Sequence, residues 1–93
     1  MSEESQRERR LRATALSYQS GTNAPRVVAS GAGLIAQQIL DAALEAGVPV
    51  REDPALAQAL SLLELGDEVP QALYVAVAET LAWAYRLDAK ASR

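Results

Sequence analysis

Hydrophobic and polar positions divide the chain into a polar lead, two short apolar runs and three stretches of helical period. From Met1 to Arg12 nearly every residue is charged or polar, with Leu11 the one large aliphatic. No buried face can form there unaided, so residues 1–12 read as a tail or frayed helix. Ala13–Tyr18 has the length and end residues of a strand. Gln19–Pro25 contains Ser20-Gly21-Thr22-Asn23, a turn composition, and Pro25 holds the chain extended on entry to Arg26–Ser30. The central Val27-Val28-Ala29 predicts a strand buried on both faces, as in the interior of a sheet.

After Ser30-Gly31-Ala32-Gly33, the residues Leu34–Ala46 predict a helix. Gln37, Gln38, Asp41 and Glu45 share one face, and Ile35, Ile39, Ala42, Ala43 and Ala46 share the other. Gly47 supplies the stop and Val48–Arg51 predicts a short strand, giving a strand, helix, strand order whose two strands would run parallel through a right-handed crossover. Asp53-Pro54 opens a helix to about Leu63, because Asp accepts from orphan amides while Pro loses no needed donor. Glu64–Val69 forms a connector, and Pro70 opens a last helix to about Leu87, in which Leu73, Val77, Leu81 and Ala84 make a stripe widened by Trp83 and Tyr85. Asp67 and Glu68 stand before that helix, where negative charge meets the positive end of its dipole, worth roughly 0.3–1 kcal/mol. The expected fold is α/β: a small mixed sheet of about three to four strands with three main helices, in a domain spanning 13–87, followed by a tail at 88–93.

Composition narrows the chemistry more than the fold. The 93 residues suffice for one domain. Phe is absent and only Tyr18, Tyr74, Trp83 and Tyr85 are aromatic, so the core is built from Ala, Val, Leu and Ile. With no Cys and no His, disulfides, thiol nucleophiles, imidazole bases and the usual zinc ligands are ruled out together. No apolar run approaches the roughly 20 residues that cross a bilayer, and MSEESQRERR is unlike a signal peptide, which makes the cytoplasm the expected compartment. The net charge of -3 is uneven: residues 1–12 hold four Arg and three Glu, leaving -4 on the rest. An acidic body argues against phosphate backbones as partners.

Two local patterns have a chemical reading. Gly31-Ala32-Gly33 lies between a strand and a helix, where phosphate-binding turns occur, but position 36 is Ala and the chain has no further strands to carry a nucleotide. A tight turn accounts for both glycines, with a nucleotide- or anion-binding Ser30–Gly33 turn as the alternative. Asp67 and Glu68 could bind a divalent cation or act as acid and base, yet no His and no third acidic residue stands at a ligand spacing, and capping is the simpler role. Lys90, the one Lys, lies near the C-terminus and completes no Ser–Lys pair. No cofactor, metal ligand or catalytic residue is expected.

Blocks in a fixed order carry a resemblance. Ala13–Tyr18 is similar to the stretch just downstream of the cleavage site of the FlhB/YscU-family export switch proteins of type III secretion, and Ala24-Pro25-Arg26-Val27-Val28-Ala29-Ser30-Gly31 resembles their Ala-Pro-Arg-Val-Val-Ala-Lys-Gly. Val48–Pro54 with Leu56–Leu60 resembles the family's Val-Pro-Ile-Val-Glu-Asn-Pro-Pro-Leu-Ala-Arg-Ala-Leu, and Glu64–Pro70 its Glu-Ile-Gly-Asp-Glu-Ile-Pro, followed by Tyr74, Val77, Ala78 and Leu81. The resemblance spans residues 13–87. It implies the family's C-terminal cytoplasmic fold, without its self-cleavage. Members cut themselves between Asn and Pro of an Asn-Pro-Thr-His loop, where Glu8, Arg9, Arg10 and Leu11 stand here, and the sole Asn, Asn23, precedes Ala24.

The membrane-spanning part and the strand that would precede that loop are also missing from this sequence. What remains resembles the fragment that cleavage leaves, as a chain of its own. The resemblance implies a non-enzymatic interaction module in bacterial flagellum biogenesis or a related protein export system. It would be cytoplasmic, peripheral at the inner-membrane export gate. Its implied partners are export-gate proteins, export substrates or the length-control protein, with Arg26, Asp67 and Glu68 as candidate contacts. The edge at 13–18 would pair with a partner or a second copy.

Overall fold

The computed structural model describes residues 11–18 and 24–91. The expected turn at Ser20–Asn23 and the positions Glu8, Arg9 and Arg10 lie outside the described residues. Six elements follow in order: β1 (Arg12–Ser17), β2 (Arg26–Ala32), α1 (Leu34–Ala46), α2 (Pro54–Leu60), a short 3-10 turn (Gln71–Leu73) and α3 (Tyr74–Ala91).

β1 and β2 form an antiparallel ribbon in which Ala13 pairs with Gly31, Thr14 with Ser30, Ala15 with Ala29 and Leu16 with Val27. The register slips between Ala15 and Leu16, leaving Val28 without a cross-strand partner. This bulge corrects the expectation that Val27-Val28-Ala29 is buried on both faces: Val27 is 1% exposed, Val28 56%. The central position of β2 is real in another sense, because its second edge is held by the connector. Val27 N–H donates to the Asp67 carbonyl at 3.0 Å, Gly66 N–H to the Val27 carbonyl at 2.8 Å, and Val69 N–H to the Pro25 carbonyl at 2.9 Å.

Helices cover both faces of the ribbon. On one side α1 packs through Ala36, fully buried, with Ile39, Leu40 and Ala43 partly covered. The expected inner stripe is thus turned by about one residue, and Ile35, Ala42 and Ala46 are exposed. On the other side Leu60 of α2, Val69 of the connector and Val77 of α3 form the core cluster, with Leu16, Leu56, Leu63, Leu73 and Leu81 packed against it. The expected stripe holds at Leu73 of the 3-10 turn and at Val77 and Leu81 of α3, but Tyr85, 60% exposed, does not widen it.

The ends of the helices follow their sequence signals in part. Gly47, at φ 72°, closes α1: its N–H donates to the Leu44 carbonyl and that of Val48 to the Ala43 carbonyl at 2.9 Å. These two bonds make a Schellman stop. Asp53 Oδ1 accepts from Leu56 N–H at 3.1 Å with Pro54 next to it, as expected for the start of α2, which ends at Leu60 rather than Leu63.

Two expectations are corrected. The sheet has two strands among the described residues, not three to four. Val48–Arg51 is not a strand, so the described residues form no parallel crossover: Val48 has given its amide to the helix stop, Pro49 has none, and no described strand pairs with the segment.

Candidate interaction surface

The sequence-selected residues Arg26, Asp67 and Glu68 come together where the exposed connector lies along the start of β2. β2 presents Arg26 at its first position, and the backbone bridge between Arg26 and Glu68 brings the connector alongside. Arg26 Nη2 donates to Glu68 Oε1 at 2.8 Å and Nη1 to the Gly66 carbonyl at 2.9 Å. Asp67 Oδ2 accepts from Glu64 N–H at 2.9 Å, closing a turn whose Gly66 sits at φ 88°, a region that favours glycine. Neither carboxylate caps the last helix, contrary to expectation. The chain passes through Pro70 and a 3-10 turn before α3 begins at Tyr74, so both carboxylates stand too early to reach its first amides.

The two glycines serve different ends. Gly33 takes the turn, with φ 61° and ψ −127°, and its N–H donates to the Leu11 carbonyl at 2.9 Å. Gly31 lies inside β2 with no positive φ. A Cβ there would stand 2.9 Å from Ile35 Cβ, so this position is glycine because α1 returns directly over it. Packing and turn geometry account for both, and no second feature at Ser30–Gly33 points to a bound anion. Arg12, at the near end of β1, donates to Ser61 Oγ at 3.2 Å instead. Among the described residues no group of three or more His, Cys, Asp or Glu could hold a metal ion, and no helix is long and apolar enough to cross a membrane.

One feature went unread in the sequence. Ala15 and Ala29 of the ribbon, Ile35, Ile39 and Ala42 of α1, and Val48 after it border an open apolar trough of about 400 Å³. Ile35 is 57% exposed and Val48 52%. The signal was present as the apolar face of α1, which was expected to be covered.

Known proteins share this arrangement. The sequence model described as the "FlhB HrpN YscU SpaS Family" matches residues 12–84. The protein YlqH of Bacillus subtilis is 42% identical over 78 residues, 83% of this chain and 84% of YlqH. The flagellar biosynthetic protein FlhB of Escherichia coli is 48% identical over 75 residues, which are 78% of this chain and 20% of FlhB. The chain therefore spans about a fifth of its flagellar relatives. Among solved structures, a mutated EscU/SpaS C-terminal domain superposes with a TM-score of 0.77 at 30% identity, covering 81% of this chain and 95% of that domain. The PscU C-terminal domain gives 0.73 at 31% identity, with 77% and 94% covered. With the sequence match running from β1 into α3 and the fold match falling on C-terminal domains, the chain belongs to the FlhB HrpN YscU SpaS family as a C-terminal domain of that family.

Proposed function

We propose that this chain is a non-enzymatic interaction module of a flagellar or related type III protein export apparatus, standing in for, or modulating, the processed C-terminal fragment of the export switch protein. The observation that carries the reading is the extent of the match: 95% of an isolated EscU/SpaS C-terminal domain but 20% of FlhB. What corresponds is the domain that offers surface, and the sequence offers no Cys, no His and no Asn-Pro bond with which to act chemically. The module works at the cytoplasmic face of the export gate, and its partners are gate proteins, export substrates or the length-control protein. Arg26 at the start of β2 and the connector carrying Asp67 and Glu68 are the polar part of its contact surface, held in one shape by the hydrogen bonds between connector and strand and within the connector turn.

The test is complementation. A switch protein cut back to the position of its cleavage loop is expressed with and without this chain, and export of early and late substrates is measured alongside affinity capture. Capture together with a changed export profile supports the module. A chain that neither binds the shortened switch protein nor alters export overturns it.

A further inference from the structure

Helix α3 is apolar on two sides. One side docks: Val77, 2% exposed, joins Leu60 and Val69, and Leu81 packs against them. The other side lies in water. Val75, Ala78, Ala82 and Tyr85 stand three and four residues apart in turn, so they form one line along the helix, and all four are exposed, Val75 at 75% and Tyr85 at 60%. A helix with one face on a core carries polar residues on its outer face, whereas an outer apolar line of this spacing is a seam for a second helix. The charges of 74–87 keep to one flank of that line. They are Glu79 and Arg86, seven residues apart, both exposed and in no ion pair among the described residues.

We infer that the seam is covered by the same helix of a second copy, run antiparallel, so that the chain forms a two-fold dimer through the outer face of α3. The spacing is its own complement. With the two-fold axis beside position 80, Val75 lies opposite Tyr85 of the second copy and Ala78 opposite Ala82, and the same contacts recur on the other side of the axis. Alanine at the middle lets the two helices approach closely, and a β-branched residue meets an aromatic ring at each end.

Charge sets the direction. In this register Glu79 of one copy and Arg86 of the other stand five residues apart along the shared axis, about 7.5 Å. Side chains lean toward the N-terminus of their own helix, which in antiparallel helices turns these two toward each other, and the two-fold axis makes the pair twice. A parallel dimer would set Glu79 beside Tyr74 and Arg86 beside Leu81 of the second copy, with no ion pair. Residues 1–10 do not line the seam in place of a second copy, since Met1 is their one apolar residue. Four seam residues on each copy fall short of the roughly 1,200–2,000 Å² of a standard interface, so the dimer is transient and forms with rising concentration.

The test is sedimentation equilibrium of the full chain from micromolar to millimolar concentration at low salt, with circular dichroism of each variant to check that it folds. The natural chain is expected to pass from monomer to dimer, and added salt to weaken the dimer without any substitution. Glu79→Arg and Arg86→Glu each set like charges against one another at both pairs, and each alone is expected to raise the dissociation constant about tenfold. An equimolar mixture of the two variants is expected to dimerise as well as the natural chain does, because every pair across a mixed dimer is again opposite in sign. A chain that stays monomeric throughout overturns the proposal. A dimer indifferent to both reversals also overturns it, since another face then joins the copies, and so does a mixture that associates no better than its components. Capture of a switch protein plays no part in these outcomes, so the dimer can fail while the export reading stands, and the reverse.

Discussion

Arg26 and Glu68 are joined at two levels: their backbones form an isolated antiparallel bridge, and their side chains an ion pair at 2.8 Å. Both side chains are more than half exposed, 58% and 53%, so water screens the pair and it contributes roughly 0.2–1 kcal/mol. Arg26 has a second partner in the Gly66 carbonyl. Its function in the fold is to clip the connector onto β2, with the backbone bonds of Val27 carrying most of the join.

That division of labour predicts unequal costs. Glu68→Gln is expected to lower stability by at most about 0.5 kcal/mol, an effect that shrinks in high salt. Arg26→Ala, which loses both partners, is expected to cost about 1 kcal/mol. Urea midpoints at low and high salt measure both. Equal costs for the two variants would remove the Gly66 contact from the account.

Gly31→Ala tests the seat of α1. The new Cβ would lie 2.9 Å from Ile35 Cβ, an atom fixed to the helix backbone, so α1 must lift or the ribbon must bend. Overpacking of this kind costs roughly 1–3 kcal/mol. Ile35 is 57% exposed, so Ile35→Gly alone is expected to act mainly through helix propensity, by about 1 kcal/mol. Combining the two should cost less than the sum of the singles, because Gly at position 35 clears the clash. Strict additivity in thermal or urea unfolding would show that the contact with Ile35 is not what requires glycine at 31.

Much of this architecture was legible because its signals are local. Asp53-Pro54, Gly47 and the turn at Gly33 each act within a few residues, and each sits where the sequence placed it. The failures are non-local. The apolar run Val27–Ala29 gives no hint of the slip that leaves Val28 unpaired, since the slip is a property of two strands together. Asp67 and Glu68 read as caps because they precede a helix. Glu68 is taken instead by Arg26, which the fold brings in from 42 residues away, and Asp67 by the Glu64 amide within the same connector turn, which a helix-cap reading overlooks. Val48–Arg51 has strand composition, but a ladder needs a neighbour, and composition does not say whether one is present.

Thr14 carries a cost that a single change can remove. Its Oγ1 is buried and has no hydrogen-bond partner among the described residues, while its backbone pairs with Ser30 in the ribbon. Thr14→Val keeps the branched shape that suits a strand and removes the unsatisfied hydroxyl, so stability is expected to rise by about 1 kcal/mol. Thr14→Ser, which keeps the hydroxyl and loses a methyl, is expected to fall. A Val variant no more stable than the natural chain by urea unfolding would mean that the hydroxyl has a partner in solution.

Val75 and Val77 sit two residues apart on α3 and should behave as opposites. Val77 is 2% exposed within the cluster with Leu60 and Val69, whereas Val75 is 75% exposed. Truncating Val77 to Ala removes two methyl groups' worth of burial and leaves a void that its neighbours fill only in part, at about 2 kcal/mol. Val75→Ala deletes the same atoms from a surface already in water and adds a better helix former, so its effect stays within about 0.5 kcal/mol of zero, on the favourable side if anything. The contrast isolates burial from composition, because the helix and the residue type are the same. It also bears on function: if Val75→Ala leaves stability untouched yet weakens capture of a shortened switch protein, the outer face of α3 belongs to the contact surface. A Val77→Ala cost as small as that of Val75→Ala would instead mean that α3 does not dock on the connector as the structure has it.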